Sequence, residues 1–355
     1  MGVVAIRVPG GIRLSRAQLA GAALVALVVG AAALAPLLSP NDPTEPFADR
    51  AYAPPMRVRI WDGQRLRAPF VYPLLLDDRL ARRYRPDTAR PTPIQWLRSG
   101  RLASIDRSAG PLLVLGADAL GRDLFARVLD GARVSLGVTA LGLLGALAIG
   151  VGIGGAAGTF GGRADVLLMA VADFVLILPA AYLVLVLRGV LPLTLSTAQV
   201  FALLALLFAV AAWPHVARGV RAIVAAERRR EYAEAARAAG AGRLRLLGQL
   251  LPAAHGFLAV EALLVVPALL VAEATVSYLG LGFAEPRASW GTLLREAGSI
   301  RVMTEAPWML APAAAMFVVV LGVQLLGRGQ AAQTVLRLGD RQAISARTRD
   351  ARRAA

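Results

Sequence analysis

The sequence predicts an all-α membrane protein with six transmembrane helices and a long external segment between helices 1 and 2. Three observations predict it. The 355 residues are 57% hydrophobic and 17% charged, with a mean hydropathy of +0.60, too apolar for an ordinary soluble domain. The apolar residues gather in runs of about 20, the length that carries a helix across a bilayer with every backbone group bonded internally. The basic residues collect between those runs and at both ends.

Residues 1–38 are read as a cytoplasmic start and the first span. Arg7, Arg13 and Arg16 precede an apolar run over 17–38, the pattern of a helix whose beginning stays inside. The alternative is a cleaved signal peptide, suggested by the small residues from Ala31 to Ala35. The run exceeds the usual apolar region of about 7–15 residues in such peptides, which favours a retained helix.

Residues 39–115 form the external segment. Pro40, Pro43, Pro46, Pro54, Pro55, Pro86, Pro91 and Pro93 break any long helix there. Alternation suggests short strands at 57–60 and 69–73. Its many arginines do not forbid an outside location, because charge bias orients only short loops.

The core, 116–327, holds apolar runs at 134–160, 166–187, 198–214, 254–279 and 308–326. With the first helix they make six spans, an even number that returns the C-terminus to the starting side. The tail 328–355 carries Arg337, Arg341, Arg347, Arg349, Arg352 and Arg353, so both termini are expected in the cytoplasm. The loop 217–252 is strongly basic, with the triplet Arg228, Arg229 and Arg230, and belongs on the same side. In the second span Gly150, Gly154 and Gly158 recur every four residues, which bares backbone on one face and invites close approach by another helix.

Composition also excludes. All 39 basic residues are arginine, so no P-loop, which needs a lysine on the phosphates, can be built. Without cysteine there is no disulfide or thiolate site, and His215 and His255 are too few for a three-histidine zinc centre. No catalytic constellation, metal site or cofactor is expected. The net charge of +16 points to membrane lipid and cytoplasmic loops, not to nucleic acid.

Within the basic loop, the helix-forming stretch Glu231–Ala239 ends at Gly240, suited to a C-cap, and a second helical stretch runs to Pro252. A helix, a tight turn and a helix result, with a small-residue surface around which a partner's groove can close. The plainer reading is a solvated charged loop. Three acids fall within apolar runs, Asp173, Glu261 and Glu273. Each lines a polar path or pairs with a neighbouring helix, since unpaired carboxylates at that depth are costly. Asp118 with Arg122 and Asp123 with Arg127 stand at i,i+4, which suggests an amphipathic surface helix before the second span.

Glu234-Ala235-Ala236, then Gly240, then Leu250-Leu251-Pro252 resemble the EAA loop of ATP-binding cassette (ABC) importer permeases. The stretch Leu115 to Asp123 and the pair of motifs around Glu273 to Gly282 and Ser289-Trp290-Gly291 resemble the second, C-type permease subunit of the dipeptide, oligopeptide and nickel importers. That resemblance implies a bacterial inner-membrane permease that moves peptides or similar solutes. It implies ABC ATPase subunits, a second homologous permease and an extracytoplasmic solute-binding protein as partners. Glu234, Ala235, Ala236 and Gly240, closed by Leu251 and Pro252, would dock on the ATPase. The sequence departs from the family at Ala170, where Arg is usual, at Arg328, where Asp is usual, and at Leu250, where Ile is usual. The rival from another class is an ion-gradient-driven secondary transporter working through acids such as Asp173.

Overall fold

The computed structural model describes residues 6–7, 13–61, 65–79, 81–98, 100–178 and 195–328. Two short strands, β1 (Ile6–Arg7) and β2 (Arg13–Leu14), pair antiparallel ahead of helix α1 (Arg16–Ala33). Ser15 starts α1 with a reciprocal capping box: its hydroxyl accepts from Gln18 N at 3.2 Å, and Gln18 Oε1 accepts from Ser15 N at 2.9 Å. A one-turn helix, α2 (Ala35–Leu38), follows directly.

The segment after α2 departs from the all-α expectation. It folds into β3 (Arg59–Trp61), β4 (Leu66–Val71), β5 (Leu74–Asp78), β6 (Arg83–Pro86), β7 (Thr92–Pro93), β8 (Gln95–Arg98) and β9 (Arg101–Ser104). These make an antiparallel sheet in the order β3-β4-β7 and two hairpins, β5–β6 and β8–β9. The prolines that forbid helix are compatible with this, because Pro93 sits on an edge strand where no ladder donor is missed. The expected strands at 57–60 and 69–73 overlap β3 and β4. Val71, Leu74, Ile94, Leu112 and Leu113 give the segment its own small core.

The remaining helices are α3 (Leu124–Phe160), α4 (Gly162–Ile177), α5 (Thr197–Glu227), α6 (Glu231–Ala238), α7 (Arg243–Leu250), α8 (His255–Tyr278), α9 (Trp290–Ala297), α10 (Ile300–Glu305) and α11 (Pro307–Arg328). Among the described residues five helical stretches are long and apolar enough to cross a membrane: α1, α3, α5, α7 through α8, and α11. The expected span at 166–187 begins in α4, and its part beyond 178 lies outside the described residues. With 37 residues, α3 reaches about 55 Å, well over a hydrocarbon core of about 30 Å. Its charged first turns therefore stand clear of the apolar run that begins at 134.

Glycine sets how the bundle packs. A Cβ on Gly150 would lie 2.5 Å from Val216 Cβ, one on Gly154 2.3 Å from Ala217 O, and one on Gly158 2.9 Å from Arg221 O. The four-residue glycine repeat is thus the seam between α3 and α5. Val138, Leu204, Phe208 and Leu269 continue the seam into a core shared with α8. A second backbone contact joins α1 to α11, where a Cβ on Gly21 would meet Gly322 O at 2.5 Å. The bundle has two ends: residues 39–123 and the α8–α9 loop share one, and α6 and α7 occupy the other.

Candidate functional site

At the second end, α6 and α7 form the helix-turn-helix the sequence predicts. Gly240, at φ +79°, closes α6 as a Schellman motif: its N–H donates to Arg237 O at 3.0 Å, and Ala241 N–H donates to Ala236 O at 2.9 Å. Ala233, Leu246 and Leu250 are buried against Val216, Val220 and Val224 of α5. Leu251 packs on α3, 3.1 Å from where a Gly155 Cβ would stand. The opposite surface is open: Glu234, Ala235 and Gly240 are exposed, Ala236 is half-buried, and Pro252 is exposed on the turn into α8. Leu244 presents its side chain there at 77% exposure, an apolar group facing outward on a basic, small-residue platform.

The three acids expected within apolar runs have different environments. Asp173 accepts an ion-paired hydrogen bond from Arg218 of α5, and one turn-pair away Asp165 accepts from Arg221 Nε at 2.9 Å. These two bridges tie α4 to α5. Glu261 is half-buried in α8, with no ion pair among the described residues. Glu273 is fully buried; its Oε1 accepts from Ser277 Oγ at 2.8 Å, and its Oε2 has no hydrogen-bond donor. Close packing surrounds it, since a Cβ on Gly291 would lie 2.4 Å from Ala274 O.

The first end holds a constellation that local sequence pattern misread. Residues 116–123 are not an amphipathic helix but a tight turn closed by the Ala117–Asp123 bridge. Asp118 drives this by accepting backbone N–H bonds from Leu120 at 2.8 Å and Arg122 at 2.9 Å, a local alternative to helical bonding. Helix α3 then starts at Leu124, capped by Asp123, which accepts from Phe125 N at 3.0 Å.

The arginines of that stretch turn inward. Arg122 Nε donates to Asp118 at 2.7 Å, and Arg122 also pairs with Glu285. Arg127 pairs with Asp118, donates from Nη2 to Glu285 at 2.8 Å, and from Nη1 to Glu296 at 3.0 Å. Asp118, Arg122 and Arg127 are buried, Glu296 is largely covered, and Glu285 closes the cluster from its exposed edge.

Burial pushes the Glu296 carboxyl up to about 7, reinforced by Asp118 and Glu285 and opposed by Arg127 and Arg122. Glu285 is also partly desolvated, yet its bonds to Arg122 and the charge of Arg127 hold it below the ordinary carboxylate range. Asp123 is pushed up to about 6 by burial, against hydrogen bonds from Asn41 and the α3 amides. Glu285 and Glu296 lie more than 150 residues from their arginine partners, beyond the reach of any local periodicity.

The family described as binding-protein-dependent transport system inner membrane component matches residues 150–331, from the glycine seam through α11. The chain belongs to this family. The permease is similar to the nickel transport system permease protein NikC of Escherichia coli, 36% identical over 218 residues, covering 60% of this chain and 75% of the relative. It is similar to the oligopeptide transport system permease protein OppC of Bacillus subtilis, 36% identical over 216 residues, covering 60% and 68%. It is also similar to the di/tripeptide transport system permease protein DppC of Pseudomonas aeruginosa, 30% identical over 319 residues, covering 89% and 86%. The chain is therefore an ABC importer permease subunit of the peptide and nickel group, and a multi-pass inner-membrane protein.

Proposed function

We propose that the permease forms half of a translocation pathway for di- or oligopeptides, or similarly sized solutes, and is driven by separate ATPase subunits docked on the α6–α7 turn. The observation that carries the coupling role is the Gly240 Schellman turn, buried on one side against α5 and open on the other. A force applied to Glu234, Ala235, Ala236 and Gly240 passes through Leu246, Leu250 and Leu251 into α5 and α3 without a flexible link, with Pro252 leading into α8. The lack of lysine, and hence of a P-loop, supports ATP hydrolysis elsewhere.

In this reading the α6–α7 end and both termini are cytoplasmic, while 39–115 is extracytoplasmic and faces a solute-binding protein. A second homologous permease completes the path. Alternating access follows if ATPase closure binds the turn more tightly in one state than in the other. The cluster of Asp118, Arg122, Arg127, Glu285 and Glu296 then fixes the outer ends of α3 and α9 relative to each other. Asp173, Glu261 and Glu273 act as helix-pairing or pathway groups.

Uptake of a labelled dipeptide into vesicles containing the assembled importer tests the reading. Transport that requires ATP inside and survives collapse of the proton gradient supports it. Transport that persists without ATP and stops with the gradient would instead make the chain a secondary transporter.

A further inference from the structure

The hairpin β8–β9 packs beside α2, the last turn of the first span, and Arg101 donates to the carbonyl of Pro40 two residues beyond that helix. Its level in the bilayer is thus the border where apolar helix gives way to polar chain. Below it Leu34 is 53% exposed; on the hairpin itself Trp96 is 57% and Leu97 is 73% exposed. Leu97 adopts φ +52°, an uncommon conformation for a branched side chain. A tryptophan beside a helix end settles where headgroups meet acyl chains, and an exposed leucine next to it seats in the acyl layer.

Between the hairpin and the chain leaving α2 lies a 480 Å³ cavity lined by Pro40, Asn41, Gln95, Arg98, Arg101 and Arg107, among others. Glu45 and Asp106 also line it, and Asp106 is engaged in capping Ser108 N at 3.1 Å. Arg98 donates from Nη1 to Gln95 at 2.8 Å, which leaves the rest of its fork for another acceptor. The whole segment 39–115 carries thirteen arginines against eight carboxylates.

We infer that this cavity is a headgroup site for an anionic phospholipid, with Arg98, Arg101 and Arg107 receiving the phosphate and Trp96 and Leu97 seated among the adjoining acyl chains. Guanidinium forks match phosphate geometry, and the apolar tip supplies the lipid contact that a soluble anion does not need.

The importer complex, purified in mild detergent, is offered equal phosphatidylglycerol and phosphatidylcholine, and retained lipid is read by native mass spectrometry. Preferential retention of phosphatidylglycerol is expected. Arg98→Gln/Arg101→Gln/Arg107→Gln lowers it by roughly a hundredfold, while the equal charge change Arg79→Gln/Arg83→Gln/Arg90→Gln leaves it within about twofold. Equal retention of the two lipids by the unaltered complex overturns the proposal, as does an equal loss in both triple variants. Release of the bound lipid by excess inorganic phosphate overturns it too, because the site would then serve a soluble anion. The lipid preference and the phosphate competition need no variant, so they decide the matter even if the arginine triple fails to fold.

Discussion

Arg127 Nη1 stands 3.0 Å from Glu296 Oε1, joining the first turn of α3 to α9 across 169 residues of chain. The same guanidinium also serves Asp118 and Glu285, and its Nε has no acceptor. Replacing Arg127 by Met keeps the apolar stem, removes the guanidinium and leaves three carboxylates facing only Arg122. Breaking a buried pair from one side costs about 3–5 kcal/mol. A fall in thermal midpoint is expected for the detergent-purified permease, and an unchanged midpoint would show that the cluster contributes nothing.

The same cluster gives stability a pH dependence. Glu296 and Asp123 sit near 7 and 6 in the folded state, above their ordinary values of 4.5 and 3.8. Raised carboxyl values mean that the folded state holds these protons more tightly than the unfolded one. Their contribution is fully present below the ordinary values and is lost progressively as pH rises from about 4 through about 6 for Asp123 and through about 7 for Glu296. The thermal midpoint should fall over that interval. Glu296→Gln should remove the slope above about pH 6 and leave a shallower one below it, due to Asp123 alone. A slope unchanged in Glu296→Gln would assign the upper titration to another group.

The glycine seam predicts a sharp contrast between two positions on α3. A Cβ on Gly154 meets Ala217 O at 2.3 Å, whereas Gly152 has nothing within 4 Å. Gly154→Ala should push α5 away and cost about 1–3 kcal/mol. Gly152→Ala should be neutral or stabilising by up to about 1 kcal/mol, through helix propensity alone. Equal midpoints for the two variants would mean that α3 and α5 do not touch along this face.

At Gly240 the surroundings are open, and only the backbone restricts the residue, through φ +79°. Asn tolerates that conformation, so Gly240→Asn should keep uptake within a few-fold. Gly240→Asp adds a negative charge to the docking surface and should abolish uptake while the protein still reaches the membrane. Immunoblots of the membrane fraction alongside dipeptide uptake separate the two effects. Full transport by Gly240→Asp would remove the turn from the coupling path.

The helical part of this fold is legible because its signals are local. Twenty-residue apolar runs, Gly150, Gly154 and Gly158 on one face, and Gly240 after an Ala-Glu-Arg stretch each state their structure within a few turns. The strands of 59–104 were only partly legible, since prolines exclude helix without specifying register. The Asp118 to Arg127 stretch misled for a physical reason: i,i+4 opposite charges fit a surface helix and a buried turn equally well. What decides between them is Asp118 accepting the Leu120 and Arg122 amides, with Glu285 and Glu296 brought in by tertiary structure to receive the arginines. Asp173 was legible as an acid that either lines a path or pairs with another helix, and its bond from Arg218 depends on how α4 lies on α5.

Glu273 is the residue whose role the geometry divides most finely. It is fully buried, with Ser277 Oγ donating to Oε1 at 2.8 Å and Oε2 without a donor. If its task is to hold α8 in register, the oxygen matters and the charge does not. Glu273→Gln keeps the acceptor for Ser277 at nearly the same volume, so ATP-driven uptake should stay within about twofold of the unaltered importer on packing grounds. Glu273→Leu strands the Ser277 hydroxyl, a loss of about 1–3 kcal/mol, and should lower the thermal midpoint and uptake together. A Glu273→Gln protein that is as stable as the original yet cannot transport would show that the carboxylate itself faces the path, because no packing effect separates the two side chains.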